Sequence, residues 1–433
     1  MLYWKKLPVA NRAERIHRAL SENVNFSTDT TFGYPASRLD DRVFNEDAPF
    51  LKDAPILQTF AANPNHIGCH TYNDGESAFK GTQQIEREVL NVIACDIFKA
   101  APDSFDGYIA PGGTEANIEA LWIYRNYFIK HHNAQPHEIA VIATEDTHYS
   151  VPKGCNLLML DRLSVPVHFM SRYIDEMALE SIIVAAKAGG KKYFIVVANM
   201  GTTMFGSVED TELYTMLLER YDLQYKLHVD AAYGGFVYPF SNQGSHLNFE
   251  NPKISSITID AHKMLQAPYG TGIFICRKGL MENVLTAEAE YVAGMDLTLC
   301  GSRSGCNAVA VWMILFTYGP HGWQEKVNVL QMRTDWLCKK LDELGIEYFR
   351  EPYMNIVAIR EHYIPEDIAH AFTLVPQKHS EGNLWYKIVV MDHVETEHLA
   401  HFTEALKNRH LPADSPPAKY TGIIKNNSVF VRF

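Results

Sequence analysis

The chain reads as an α/β protein with a mostly parallel central sheet and a smaller α/β domain at its C-terminal end. Two observations predict this. From Phe79 onward, apolar runs of strand length alternate with amphipathic stretches of helix length, and right-handed crossovers turn such alternation into a parallel sheet. Thr114, Thr203 and Asp230 then fall just past strand ends, where sheets of this kind place their sites.

In chain order, a helix is expected near Ala10–Glu22, followed by a loop-rich stretch that includes FGYPASRLD and HIGCHTYNDGES. Residues 1–75 form an N-terminal arm that cannot make a core of its own. Residues 76–325 form the large domain, with helices at Gln84–Lys99, Glu115–Lys130 and Thr211–Tyr221 and strands at Tyr108–Ala110, Ile139–Thr144 and Tyr193–Asn199. An apolar strand ends at Asp230, and two more, Ser255–Ile259 and Gly272–Cys276, flank a turn that carries Lys263. After a helix at Asn307–Tyr318 the pattern changes. Residues 326–433 read as the small domain, with helices at Leu330–Leu344 and Glu397–Lys407, strands at Ile356–Ile359 and Trp385–Met391, and a proline-rich segment at Leu411–Pro417.

Composition narrows the function. The 433 residues are 47% hydrophobic and 21% charged, as in an ordinary enzyme, and carry a net charge of −12 with no basic cluster. Nucleic acid and anionic membrane are therefore not expected partners. No apolar run approaches the roughly 20 residues of a spanning helix, and the N-terminal text lacks a signal-peptide core, so a cytoplasmic location is expected. Seven scattered cysteines without a CxxC pair suggest neither disulfides nor a zinc site, and no metal is expected.

The chemistry gathers at three turns. Lys263, beside Met264, Leu265 and Tyr269, is expected in apolar surroundings that lower its amine pKa, as a Schiff-base nucleophile requires. Asp230, 33 residues earlier, ends a strand, and one crossover unit of that length can bring both groups to one cleft. A plain salt bridge is the alternative. The text APGGTEAN, Ala110–Asn117, breaks a strand at two glycines and opens a helix whose free N–H groups can hold a phosphate. Phosphate cradle, carboxylate and amine are together the anchors of pyridoxal 5'-phosphate (PLP).

These turns lie in longer motifs: GGTEAN from Gly112, EDTHYSVPK from Glu145, NMGTTMFGSVED from Asn199, HVDAAYGGF from His228, DAHKM from Asp260 and GSRSG from Gly301. In that order the chain resembles the group II PLP-dependent amino acid decarboxylases of fold type I, in particular bacterial histidine decarboxylases and plant serine decarboxylases. The resemblance implies an aspartate aminotransferase-like fold, a homodimer, and decarboxylation of an L-amino acid to its amine and carbon dioxide. Aminotransfer, carbon–sulfur cleavage and silent PLP binding share the same anchors and stay open. The segment from Lys263 to Arg303 is shorter than in eukaryotic aromatic amino acid decarboxylases, where it carries a mobile catalytic loop.

By the same resemblance, Lys263 carries the Schiff base, Asp230 keeps the pyridinium nitrogen protonated, and Ala232 presses on the ring face. Gly113, Thr114, Asp260 and His262 belong to the cofactor site, with Ser302 delivered by the second subunit; His262 is alternatively a spacer that fixes the lysine loop. His148 stacks on the ring near the substrate carboxylate. Thr203 approaches the 3'-oxygen or that carboxylate. Phe32 and Tyr34 line the substrate pocket or pack as ordinary aromatics, and Arg303 either binds substrate or holds the site loops. Tyr291 is either the acid that reprotonates the substrate carbon or a packing tyrosine.

Overall fold

The computed structural model describes residues 1–25, 51, 53–71, 75–287, 289, 293–374, 376–378 and 384–409. Phe32, Tyr34, Tyr291 and the segment Leu411–Pro417 lie outside them. Helices α1 (Val9–Glu22) and α2 (Pro55–Ala62) precede strand β1 (Asn65–Ile67). Helix α3 (Lys80–Asn91), β2 (Phe105–Ala110), α4 (Gly113–His132), β3 (Ile139–Thr144), α5 (Ser150–Leu158) and β4 (Asp161–Val165) follow. Next come α6 (Glu176–Ala188), β5 (Tyr193–Asn199), α7 (Thr211–Arg220), β6 (Gln224–Asp230), α8 (Tyr238–Ser241), β7 (Ile254–Asp260) and β8 (Gly272–Arg277).

These strands make a seven-stranded sheet in the order β2-β8-β7-β6-β5-β3-β4. The run from β7 to β4 is parallel, whereas β8 is antiparallel to both neighbours. The reversal has a simple cause. Parallel neighbours need a crossover of a dozen or more residues, and the connection 261–271 is too short to hold one, so the chain turns back beside β7. Strand β3 shows why continuous apolar runs mark this sheet: Ala140 and Ile142 join the core on one face, and Ile139, Val141 and Ala143 join the core on the other. Helices α1, α3 and the long helix described next cover the first face, and α4 and α5 the second.

Strand β9 (Ser302–Ser304) pairs with β1 and leads into α9 (Gly305–Glu343). Two separate helices are expected there from sequence. The structure has two helical limbs there, separated at Gly319 (φ 63°), and the second begins at Pro320, earlier than the expected Leu330. Proline has no N–H to lose at the start of the second limb, so the helix resumes at once. It runs through position 325, the expected domain boundary. Its first limb packs on the large core through Trp312, the start of the second limb does so through Trp323 and Leu330, and the end of the second packs on the small core through Leu337 and Leu341. Strands β10 (Tyr348–Phe349), β11 (Ile356–Arg360), β12 (Pro376–Lys378) and β13 (Leu384–Val389) form an antiparallel sheet ordered β10-β11-β13-β12. Helices α10 (Glu366–Ala371) and α11 (Thr396–Asn408) complete this layer.

Candidate active site

A cavity of about 600 Å³ opens where β5, β6 and β7 end, facing the first turn of α4. Lys263, Asp230, Asp260, His262, His148, Gly113, Thr114, Thr203 and Ala232 all line it. Strands β6 and β7 are adjacent and parallel, so Asp230 at one end and Lys263 just past the other share one rim.

The surroundings of Lys263 differ from those expected. Met264 and Leu265 turn into the core and Tyr269 is 88% exposed, so none of them encloses the amine. Its Nζ lies 3.2 Å from Asp260 Oδ2, and one third of the side chain is accessible. An ion pair, not an apolar wall, holds the amine, because DAHKM places Asp260 at the end of β7 one turn before the lysine. His262 Nε2 stands 3.7 Å from the same carboxylate oxygen.

Asp230 is 5% exposed and accepts from Asn117 Nδ2 at 2.8 Å and from the Ala232 backbone N–H at 3.1 Å. The Asn117 carbonyl faces His228 Nε2 at 3.0 Å, and His228 Nδ1 faces the Ser256 hydroxyl at 2.7 Å. Burial pushes the His228 pKa down to about 4, so the ring is neutral. Helix α4 begins at Gly113 with no side chain capping it, and its first N–H groups open on the cavity. A Cβ at Gly113 would come within 2.7 Å of Asp260 Oδ2, which explains the absence of a side chain.

Ser302 and Arg303 do not line this cavity. Ser302 is exposed on β9, where Asn65 Nδ2 donates to its hydroxyl at 3.3 Å. Arg303 is buried, and the assignment as a substrate ligand is corrected: its Nη1 donates to Glu86 Oε1 at 2.6 Å and to the Ile109 carbonyl at 2.9 Å, and its Nη2 to the Gly68 carbonyl. It fastens β1, α3 and β2 to one another behind the site. Around Glu86 the ligand atoms of His66, His70 and Glu86 lie within 4.8 Å of one another. That carboxylate is already shared between Arg303 and the His66 ring at 2.6 Å.

The structure adds residues that sequence reasoning missed. Lys387 reaches in from β13, and its Nζ donates to the Thr203 carbonyl at 2.7 Å. Burial, with Lys263 nearby, holds its pKa below the ordinary lysine value. Nothing in the local text of the small domain signals this crossing. Glu115, on the cavity wall, accepts from the Tyr108 hydroxyl at 3.0 Å and the Cys300 N–H at 3.3 Å, and burial raises its pKa to about 7. Asn117 stood inside the GGTEAN motif, but its partners are set by the fold alone.

Residues 76–360 match the family model described as the pyridoxal-dependent decarboxylase conserved domain. The chain belongs to the pyridoxal-dependent decarboxylase family. It is 53% identical to the tryptophan decarboxylase of Clostridium sporogenes over 397 residues, which span 92% of this chain and 95% of that one. The histidine decarboxylase of Vibrio campbellii is 28% identical over 367 residues, 81% of this chain and 87% of that one. Among solved structures, the L-methionine decarboxylase of Streptomyces sp.590 superposes with a TM-score of 0.67 at 20% identity, covering 92% of this chain and 94% of that one. This likeness places the decarboxylase among the fold type I enzymes.

The decarboxylase accordingly uses PLP and converts an L-amino acid to its amine and carbon dioxide. The cavity fits that cofactor on its own terms. A side-chain-free helix start can take the phosphate, a buried carboxylate the ring nitrogen, and an accessible lysine the aldehyde. Asp260 Oδ1 and His262 Nδ1 are buried without a hydrogen-bond partner, a polar surplus consistent with a ligand in the cleft.

Proposed function

We propose that the decarboxylase acts on an aromatic L-amino acid, with L-tryptophan the first candidate. The likeness to a tryptophan decarboxylase across nearly the whole chain carries this reading, and the cavity agrees with it. Ile118, Leu299, Ile356 and Val389 give the wall an apolar stretch suited to a side chain without charge. Lys387 is a cation on that wall whose hydrogen-bond partner is a neutral carbonyl, which leaves its charge available to the substrate carboxylate.

In this reading Lys263 supplies the amine that links cofactor and protein, and Asp230 keeps a proton on the ring nitrogen. Bound PLP supplies the electron sink for the pair left when carbon dioxide departs. Gly113, Thr114, His262 and a Ser302 supplied by a second subunit hold the phosphate, while Asp260 positions the lysine. Ala232 and His148 would pack against the cofactor ring, and Thr203 would serve its 3'-oxygen or the substrate carboxylate. Arg303 serves the site from behind, by fixing β1 against β2. Phe32 and Tyr34 complete the substrate wall, and Tyr291 returns a proton to the substrate carbon. A homodimer follows from the Ser302 assignment. The cytoplasm suits seven unpaired cysteines and the absence, among the described residues, of any helix long and apolar enough to cross a membrane.

The test is an amine-release panel of tryptophan, phenylalanine, tyrosine, histidine and glutamate. Tryptamine should form with the highest kcat/KM. Turnover of histidine or glutamate with none of the aromatic substrates would overturn the proposal. For Tyr291→Phe, slow carbon dioxide release with part of the product diverted to aldehyde is expected; an unchanged amine yield and rate would remove that role. Light scattering at assay concentration should report a dimer, and a fully active monomer would refute the shared phosphate site.

A further inference from the structure

His148 is joined to Asp230 through two residues that have no role in the reading above. Asn117 is 2% exposed, and its amide nitrogen donates both to Asp230 Oδ2 at 2.8 Å and to the Ser150 hydroxyl at 2.9 Å. The orientation of that amide is fixed by charge. A carboxylate only accepts, so the NH₂ must face Asp230 and the carbonyl oxygen must face His228. His228 therefore carries its proton on Nε2, and its bare Nδ1 takes the Ser256 proton, with the Tyr124 hydroxyl in turn donating to Ser256. Every hydrogen in this chain points toward Asp230.

The same logic runs outward to His148. The Ser150 oxygen accepts from Asn117, which frees its own proton for His148 Nδ1 at 2.9 Å. The Ser150 backbone N–H aims at the same nitrogen from 3.2 Å. With two donors directed at it, Nδ1 is an acceptor.

We infer that Asn117 and Ser150 are positioning residues: they lock His148 as the neutral tautomer with its proton on Nε2, and tie that choice to the carboxylate that anchors the cofactor ring. One amide thereby sets both the acceptor for the ring nitrogen and the donor that His148 offers to the cleft. The groups facing His148 are consistent with a neutral ring. Burial is the largest influence and lowers its pKa, Lys263 and Lys153 act in the same direction, and Asp230 and Asp260 oppose them. The Tyr149 ring packs on it with centroids 4.1 Å apart. The effect on turnover rests on the site reading above; the tautomer itself does not.

The test is nitrogen NMR of histidine-labelled holoenzyme, with the His148 signals identified by their loss in His148→Gln. The wild type should show Nε2 bonded to hydrogen and Nδ1 bare across neutral pH. Ser150→Ala removes a donor that favours the neutral ring, so the His148 pKa should rise by about half a unit to one unit, and the acid limb of kcat/KM should move up with it. Ser150→Thr should restore both. A protonated Nδ1 in the wild type would overturn the tautomer, whatever the substrate. An unmoved titration in a folded Ser150→Ala protein would overturn the relay.

Discussion

Removing the Arg303 guanidinium strands Glu86, a carboxylate 1% exposed whose remaining side-chain partner at bonding distance is a histidine. Stranding one member of a buried ion pair costs about 3–5 kcal/mol. Arg303→Met should therefore lower stability by that order in urea denaturation, with loss of activity following the loss of fold. A protein of unchanged stability with a raised KM alone would return Arg303 to the substrate. Lys263→Ala makes the opposite prediction. Its charge sits at a partly open rim, so the fold should persist while borohydride no longer traps cofactor on the lysine peptide; trapping on that peptide would refute the assignment. The two residues also show what was legible. Lys263 announces itself by its place between two strands. Arg303 follows a serine in a short motif, and its partner Glu86 lies 217 positions away, so nothing local distinguishes a structural arginine from a ligand.

The start of β8 lies so close to the turn before α4 that Gly272 cannot change. At Gly272 an added Cβ would lie 2.4 Å from the backbone carbon of Gly112. Backbone atoms cannot step aside as a flexible side chain can, so Gly272→Ala should push the Gly112–Gly113 turn out of place. Cofactor retention in dialysis should then weaken by about tenfold or more, equivalent to ~1.4 kcal/mol. Retention equal to wild type would show that the start of α4 is not the phosphate anchor. Strands covered on both faces, such as Ile139–Thr144 and Tyr193–Asn199, were readable as continuous apolar runs. The edge strand β4, DRLSV, is largely accessible and gave no such signal. The reversed direction of β8 and the immediate restart of α9 after its break depend on connection length and on one Gly–Pro step, which periodicity does not register.

Across the whole molecule the large and small layers meet over the cavity, where Lys387 of β13 grips the loop after β5. That contact joins positions 184 apart and was invisible in the text. The same loop is held from below by Glu209, whose Oε1 accepts from the Thr144 hydroxyl and Asn199 Nδ2, both at 2.6 Å, and whose Oε2 accepts from the Asn199 N–H at 3.1 Å. Burial outweighs these donors and raises its pKa from the ordinary 4.5 to about 7. Between those two values the folded protein keeps a proton that the unfolded chain has released. The stabilisation from that proton is complete below about pH 4.5 and is lost as pH rises through about 7. Glu209→Gln cannot release this proton, so its stability relative to wild type should improve on going from pH 5 to pH 8. At about 1.4 kcal/mol per pKa unit the relative gain is roughly 2–3 kcal/mol, whatever the absolute cost of the substitution. His70 and His228, whose pKa values burial lowers, give stability the opposite pH slope. They are present in both proteins and cancel in the difference. Urea denaturation of the pair at each pH measures it, and parallel stability curves would show that Glu209 is ionised in the fold throughout.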